Sequence, residues 1–474
     1  MKRGAALLAL GLLGLAPGCA SLRPRPAWQL PPPPVQEGSI VPEQRLHRAV
    51  LENGLDVLLL EDHRTPRLSI GIALRRGIAV EPLDQAGLAS LTTEVMKRGA
   101  GSRDALALAR TIEDIGATLS ADAGWDSASV GLTGLSEDGD KLFDLLADVV
   151  RRPRFERAEV DRARAETIQA LEQEKDEPES LLDRQLDQVL YPGHRYGIPQ
   201  DGEPRSLMRL DARALREFHR RLFVARNAIF YAVGDIAPDD ALARVRAKFG
   251  DWEAGAVPEP GPPPPAPTPA ARRIVVVDRP DLVQAQIALA HEGISRTDPG
   301  RIPALLMNTV LGGGGFLSRL LTRVRADAGL TYSIGSLFEM RRQAGPFAVS
   351  TFTRVPEVGR VVSLVLEVLE SMKSDPPGED EFRLAKSFNV GRFVLGLETS
   401  QAIAAGLIDL DVYGLPRDSL DTYRTRVNAT TQEEVADAAR RLLHPERIAI
   451  VVVGPAAALR AQLEPLGTVE VVKP

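Results

Sequence analysis

An arginine and a tyrosine stand seven residues apart within residues 311–336, the most distinctive stretch of this chain. Arg325 lies in a helical segment predicted to end at a glycine four residues later, and Tyr332 follows in a short strand-like segment. A guanidinium and a phenol can both donate hydrogen bonds to the carbonyl oxygens of an extended peptide, or to a developing oxyanion. By themselves the residues favour a plainer interpretation, in which Arg319, Arg323 and Arg325 form a cationic helix face and the tyrosine packs in a sheet.

Four consecutive glycines, residues 312–315, open the same stretch. They lack the GK[ST] ending of a phosphate-binding loop. Glycine lets the backbone turn sharply and approach another segment closely, so we expect these residues to approach another chain or the other half of this one. A flexible entry to the following helix is the alternative.

Metal and thiol chemistry find little support in the sequence. The six histidines are His47, His63, His194, His219, His291 and His444. No two of them lie at the spacing of metal ligands. Cys19 is the only cysteine, so the chain forms no internal disulfide. The formal net charge of −6, without a basic stripe, argues against a nucleic-acid partner.

The N-terminal residues have the form of a targeting signal. Lys2 and Arg3 precede a short apolar run that ends in Ala-Pro-Gly-Cys at Cys19. This ending resembles a bacterial lipobox, which implies lipidation of Cys19; plain secretion is the alternative. Ala20 resembles the residue found in lipoproteins sorted to the outer membrane, facing the periplasm.

Hydrophobic periodicity predicts two similar series of strands and helices. The first has strands at 56–60, 68–74, 127–133 and 228–233 and helices at 84–99, 104–115, 141–150, 157–175 and 213–222. The second has strands at 274–277, 285–290, 347–352 and 447–454 and helices at 302–310, 358–372 and 379–397. Residues 227–234 and 447–454 are alike, because each is a strand that follows a helix and ends in glycine. The spacing predicts a duplicated α+β domain.

Proline-rich segments mark the domain boundaries. The predicted divisions are a lipoprotein signal peptide (1–19), a tether (20–40), an N-terminal domain (41–256), a linker (257–271) and a C-terminal domain (272–474).

Several ordered features together resemble the pitrilysin/insulinase-like (M16) metallopeptidases. They are LENGLDVLLL at 51–60, the Gly-Leu-Ala helix start at 87–89, the strand that closes each half, and residues 311–336. The resemblance implies an α+β fold of two homologous halves, each an antiparallel sheet with helices packed on it, which close like a clamshell over an extended peptide. It also implies that Arg325 and Tyr332 hold the backbone of that peptide.

The zinc-binding HxxEH motif of this family is missing. Ser90, Thr93 and Glu94 stand at the matching positions, and hydroxyl groups are poor zinc ligands at neutral pH. The family's later glutamate ligand is expected near Glu172 and Glu174, which we interpret as solvated charges in an acidic run. The resemblance therefore implies a chain without a metal cofactor that is inactive alone, although its status as an enzyme stays open.

The resemblance leads to one functional prediction and two alternatives. The chain is predicted to be a non-catalytic subunit of a heteromeric zinc metallopeptidase, in which a partner chain carries HxxEH and the zinc, as a heterodimer or larger assembly. The first alternative is a non-enzymatic peptide-binding or scaffold lipoprotein of the envelope. The second, a lone zinc peptidase with unconventional ligands, has no ligand set in the sequence. Trp125 could face the peptide, but core or rim packing is the favoured interpretation.

Overall fold

Two six-stranded sheets, one on each side of the predicted linker, form the framework of the protein. The computed structural model describes residues 39–41, 43–259 and 271–474, which lie in one compact unit. The predicted signal peptide, Cys19, all but the end of the tether and most of the linker lie outside the described residues.

The first sheet has the strand order β1-β2-β8-β3-β7-β6. Its half contains β1 (Leu46–Val50), β2 (Asp56–Glu61), β3 (Arg67–Leu74), the short β4 (Gly99–Ala100) and β5 (Arg103–Asp104), β6 (Thr118–Ala123), β7 (Ala128–Leu135) and β8 (Ala228–Gly234). The helices are α1 (Leu88–Met96), α2 (Ala105–Glu113), α3 (Gly139–Arg151), α4 (Arg157–Glu174), α5 (Pro178–Leu190), α6 (Pro204–Leu207), α7 (Ala212–Leu222) and α8 (Pro238–Phe249).

The second sheet has the order β11-β12-β10-β13-β9-β14. Its strands are β9 (Arg273–Asp278), β10 (Gln284–Glu292), β11 (Ile334–Phe338), β12 (Pro346–Arg354), β13 (Ala449–Gly454) and β14 (Val469–Val472). The helices are α9 (Arg301–Asn308), α10 (Val358–Ser374), α11 (Glu379–Leu395), α12 (Ser400–Tyr413), α13 (Ser419–Ala429), α14 (Gln432–Leu442) and α15 (Ala456–Leu463).

The two sheets confirm the predicted α+β duplication. The strand orders of the two sheets match: β6-β7-β3-β8-β2 in the first half corresponds to β11-β12-β10-β13-β9 in the second. The sheets are mixed rather than purely antiparallel. The closing strand of each half returns after the helices and inserts between the first two long strands, so that β8 pairs in parallel with β2, and β13 with β9.

The central strand of each half has one large and one small apolar face. On β3, Leu68, Ile70 and Ile72 point into the core of their own half. On the opposite face a Cβ at Gly71 would come within 2.3 Å of the Tyr231 hydroxyl, so glycine makes room for the neighbouring tyrosine. Along the sequence these large residues alternate with small ones, which predicts a strand with a large and a small apolar face, and the structure confirms that division.

The small-residue faces are covered by helices exchanged between the halves. Helix α5 of the first half packs on β10 and β13 of the second. Helix α12 of the second half packs on β8, β2 and β3 of the first. Neither α5 nor α12 is predicted from the periodicity, and together they give each sheet a helix on the face away from its own core.

A loop between β11 and β12 adds polar contacts between the halves. Arg341, only 4% exposed, lies with its guanidinium 4.6 Å from the ring centre of Trp125 and 4.5 Å from that of Tyr196. The next residue, Arg342, donates its backbone N–H to Asp126 at 2.7 Å. Trp125 is thus a packing residue at the contact between the halves, in agreement with the favoured interpretation.

Within the described ranges, no helix taken alone has the length and apolar character needed to cross a bilayer. One pair, α11 and α12, meets that requirement only when both helices are counted across their 111° bend.

Candidate functional site

The glycine run does not open into a regular α-helix. Residues Thr309–Gly313 and Leu321–Asp327 form two π-helical segments, which are rare and often occur at functional sites. A Cβ at Gly312 would lie 2.4 Å from the Ser336 hydroxyl and 2.6 Å from the Ser336 nitrogen. Gly312 therefore allows a close approach to β11 of the same half rather than to the other half.

The segment that carries Arg325 ends at Gly329, as predicted. Gly329 has a φ of +65°, and its N–H donates to the Arg325 carbonyl at 3.0 Å. The following N–H, of Leu330, donates to the carbonyl of Val324 at 3.1 Å, which satisfies another carbonyl at the helix end. Tyr332 lies in the loop before β11 rather than in a strand, because the backbone reaches the sheet only at Ile334.

The fold brings Arg325 and Tyr332 together on the surface. The Arg325 guanidinium lies 4.7 Å from the ring centre of Tyr332 and 5.3 Å from that of Phe316. Tyr332 is 73% exposed and Phe316 78% exposed, so the tyrosine does not pack in the sheet. This stack of a cation between two aromatic rings fixes the direction of the arginine while its N–H groups stay accessible.

Arg325 differs from the other two arginines of its segment, because each of those lies near a carboxylate. Arg319 binds Glu381 through two nitrogens at 2.8 and 2.6 Å, and Arg323 lies 4.0 Å from Asp327. Arg325 has no carboxylate partner in the part of the chain that the structure describes. Its charge is therefore left for another group to neutralise.

A buried carboxylate caps the start of α1, the helix that carries the residues at the zinc-binding positions. The carboxylate of Glu81 accepts the backbone N–H groups of Gly87 and Ala89 at the start of α1, and it pairs with Arg195 at 2.8 Å. Both charged side chains are buried. This cap explains why α1 begins at Leu88 rather than at Asp84, because the capped N–H groups define the first turn.

The three residues at the zinc-binding positions are occupied with other contacts. Ser90 donates to the Gln200 carbonyl at 3.2 Å. Thr93 is buried and donates back to the carbonyls of Ala89 and Ser90, at 3.2 and 3.0 Å. Glu94 pairs with the two basic side chains that directly follow α1, at 2.6 and 2.7 Å.

Arg98 links α1 to α4 through two carboxylates. Its Nη2 lies 2.7 Å from Glu94 and 2.7 Å from Glu166. Burial opposes the charge of Glu94, but hydrogen bonds from Lys97 and Arg98 outweigh it and lower the pKa of Glu94. A guanidinium thus joins the two acids across the helix pair.

The acidic residue that shares Arg98 with Glu94 is therefore Glu166, which the sequence analysis does not single out. Glu172 pairs with Lys175 at 2.7 Å and Glu174 lies 3.8 Å from Arg184, which fits their interpretation as surface charges. The signal that could have identified Glu166 is its spacing, three and six residues after Ala163 and Val160 on the side of α4 that faces α1.

Zinc does not fit the residues present. Within the described part of the chain, no three His, Cys, Asp or Glu side chains form a cluster that could hold a metal ion. At the zinc positions two hydroxyls hydrogen-bond to carbonyl oxygens, and the one carboxylate is bound to basic side chains. The chain's own groups thus give no step of metal-assisted hydrolysis.

Comparison with protein-family models identifies the family of this chain. The family model described as insulinase (peptidase family M16) matches residues 56–200, and the model described as peptidase M16 inactive domain matches residues 209–388. The chain belongs to the M16 peptidase family, and it is a member of the inactive type that lacks HxxEH.

Relatives cover most of the chain. An uncharacterized zinc protease of Mycobacterium tuberculosis is 28% identical over 410 residues, which cover 86% of this chain and 93% of the relative. A non-peptidase homologue from Helicobacter pylori is 22% identical and covers 82% of this chain and 90% of its own.

Solved structures show the same fold. The peptidase M16 inactive domain from Pseudomonas fluorescens has a TM-score of 0.80 and 28% identity, over 86% of this chain and 98% of its own. The periplasmic protease PqqL from Escherichia coli has a TM-score of 0.74 and 18% identity, over 89% of this chain but 47% of its own.

Introducing histidine ligands at the zinc-binding positions tests whether Glu166 is placed to complete a zinc site. A S90H/E94H/R98M variant places two histidines one turn apart on α1 and frees Glu166, so we expect it to retain about one zinc per chain after dialysis. The S90H/E94H variant keeps Arg98 on Glu166 and should retain much less, and the unmodified chain less still. Elemental analysis measures the metal and circular dichroism confirms folding. A folded triple variant without zinc would show that Glu166 is not placed to complete the site.

Asp187 on α5 predicts a pH dependence of stability. Its partial burial raises its pKa to about 7; Arg341 opposes this shift, and Glu339 and Asp183 add to it. Because the folded-state pKa lies above the ordinary aspartate value of 3.8, its stabilising contribution is complete in acid and is lost as the pH rises through about 7.

Asp187→Asn should therefore be more stable than the unmodified chain at pH 8, by about 1–2 kcal/mol after allowance for solvent screening. The difference should vanish near pH 4 in urea unfolding. Asp380→Asn, at an 88% exposed side chain, is the control and should show no such dependence. Equal effects of the two variants would argue against a desolvated Asp187.

Proposed function

We propose that this chain is a non-catalytic subunit of a two-chain M16 peptidase, in which it holds an extended peptide at Arg325 and Tyr332 while an HxxEH-bearing partner cleaves it. The observation that supports this most is the half-buried Arg325 guanidinium, which stacks on two exposed aromatic rings and has no carboxylate partner among the described residues. A site for the polar backbone of another molecule needs such free donors.

The proposed role of the pair follows from its donors. The Arg325 guanidinium carries five N–H groups in a fixed plane, and it can donate to one or two peptide carbonyl oxygens at once. The Tyr332 hydroxyl can donate to a further oxygen. When one of these is the carbonyl under attack, the same donors stabilise its developing negative charge. Water activation belongs to the partner, whose zinc would supply it.

The substrate class is an extended peptide or unfolded segment. Apolar side chains beside the pair, Phe316 at 78% and Leu317 at 65% exposure, offer contact area to peptide side chains. A folded protein presents few unpaired carbonyls to such donors, because its backbone groups are already hydrogen-bonded.

The same surface also supports the alternative of a peptide-binding or scaffold protein that serves no protease. Exposed apolar groups next to free donors can bind a peptide whether or not it is later cut. Reconstitution with a partner separates the two functions.

The decisive assay mixes the chain, from residue 21 onward, with an M16 chain that carries HxxEH from the same cell. Cleavage of a quenched-peptide library is expected only in the mixture. R325A/Y332A should lower kcat/KM at least about tenfold, since each lost charge-assisted donor costs about 1.5–3 kcal/mol. The control R323A, which removes an arginine already near Asp327, should leave the activity unchanged.

Three other results would change the conclusion. Full activity of the mixture with R325A/Y332A would exclude the role in holding substrate. Peptide binding without cleavage in any mixture would favour the scaffold. Chelator-sensitive cleavage by the chain alone would contradict our assignment of Ser90, Thr93 and Glu94.

We also propose a lipid anchor at Cys19, with the folded part held off an envelope membrane by the proline-rich tether. The support is the lipobox-like ending of the apolar run and the single cysteine. Expressed in a Gram-negative cell, the full chain should sediment with outer membranes, whereas Cys19→Ser should move to the soluble periplasmic fraction. A C19S chain that stays with the membrane would argue against the anchor.

A further inference from the structure

A cavity lies within the C-terminal half, between α9, α11, α12, α13 and the end of β11. Its volume of about 580 Å³ is in the range of sites that hold small molecules or peptide ends. Nothing in the proposed role of Arg325 and Tyr332 uses it, because neither residue lines it.

The charges around this cavity do not balance. Three arginines, Arg296, Arg301 and Arg392, line it together with a single carboxylate, Asp409. Arg296 pairs with that carboxylate at 2.5 Å. Arg301 and Arg392 have no carboxylate partner within the described residues. The cavity therefore presents two uncompensated positive charges.

Arg301 is the more confined of these two cations. It is partly buried, and the one hydrogen bond that its side chain makes to the described residues is a long one, 3.4 Å, to the Arg296 carbonyl. Burial lowers the pKa of Arg301, and the nearby charges of Arg296 and Arg426 lower it further. A desolvated cation among like charges is unfavourable, and a bound anion would relieve that cost.

Unpartnered polar atoms provide independent support. Ser419 lines the cavity, is only 4% exposed, and its hydroxyl has no hydrogen-bond partner among the described residues. The Nε of Arg296 is likewise buried without a partner. Because buried polar atoms are almost always hydrogen-bonded, these two donors point to an acceptor that is not part of the chain.

The rest of the lining is apolar and aromatic. Phe388, Phe393, Tyr423 and Leu337 contribute to the wall. Free phosphate would use the arginines but none of this surface. The combination fits a carboxylate that is attached to an apolar group.

A smaller crevice lies beside this cavity. Thr309 and Phe388 line both of them, and Leu317 also lines the crevice. Leu317 follows Phe316, on which the Arg325 guanidinium stacks. A peptide held at Arg325 that reaches the cavity would therefore cross the crevice on its way.

We infer that the cavity binds the carboxylate of a peptide, with an apolar side chain beside it, through Arg301, Ser419 and Arg392. This deepens the proposed function, on which it rests for the peptide nature of the ligand. It assigns to this chain a preference for peptides that carry a carboxylate a few residues from the segment held at Arg325. The carboxylate can come from the peptide's C-terminus or from an acidic side chain.

Binding to the isolated chain tests this inference without a protease partner. Three dansyl peptides are compared by fluorescence titration: Ala-Ala-Leu-Phe with a free carboxylate, the same peptide as an amide, and Ala-Ala-Glu-Phe amide. The free carboxylate should bind at least about tenfold more tightly than the amide, as expected for a charge-assisted hydrogen bond. Tight binding of the glutamate peptide as well would show that side-chain carboxylates are accepted; weak binding would restrict the site to C-termini.

Variants assign the preference to the cavity. Arg301→Gln should reduce the ratio between carboxylate and amide affinities to about one, and Ser419→Ala should reduce it in part. Arg301→Lys, which keeps the charge but loses the planar fork, should give an intermediate ratio. Arg383→Gln, at a 66% exposed arginine of α11, is the matched control and should leave the ratio unchanged.

Equal affinities for the carboxylate and the amide in the unmodified chain would overturn the inference. So would a carboxylate preference that R301Q leaves intact while thermal unfolding shows that the variant is folded. R325A/Y332A separates this result from the proposed function, because it should weaken all three peptides alike and preserve their ratio. If it changes neither binding nor partnered cleavage while the ratio depends on Arg301, the proposed role of the pair fails and the carboxylate site remains.

Discussion

The exchange of one helix between the two halves is the constraint on which the rest of the structure depends. The closing strand β13 is buried along its whole length, and β8 is buried except at Tyr231. Sheets with two apolar faces must be covered on both sides, and the helices of each half cover only one. Helices α5 and α12 supply the missing cover, so neither half can bury its sheet without the other.

Helix α1, which carries the residues at the zinc-binding positions, is held in place without a metal. Helix α1 packs against β6, α4 and α7, and the buried Glu81–Arg195 pair fixes its first turn. Breaking a buried ion pair leaves an uncompensated charge, at a cost of about 3–5 kcal/mol. The helix is thus part of the core through contacts that need no metal. Arg98 is the cation that lies between Glu94 and Glu166.

In the second half, the accessible chemistry lies where the backbone departs from regular helix. Two π-helical segments surround the glycine run, and they place Phe316 and Arg325 at a common surface with Tyr332. Longer helical turns shift the side chains after them around the axis, which aligns groups that an α-helix would separate. The first of these π-helical segments also contributes Thr309 and Gly313 to the lining of the cavity at Arg301.

Features that depend on local chain geometry can be predicted from the sequence. Gly329 predicts the end of the Arg325 segment because the left-handed conformation favours glycine, and the alternation of large and small residues predicts the two faces of β3. The similar strand ends at 227–234 and 447–454 predict the duplication. The contacts between distant groups became known from the folded chain alone: α5 and α12 with the opposite sheet, Arg98 with Glu166, and Arg341 with Trp125. An amphipathic pattern shows that a face is buried but not what covers it, and the two acids of a bridging arginine lie on different helices.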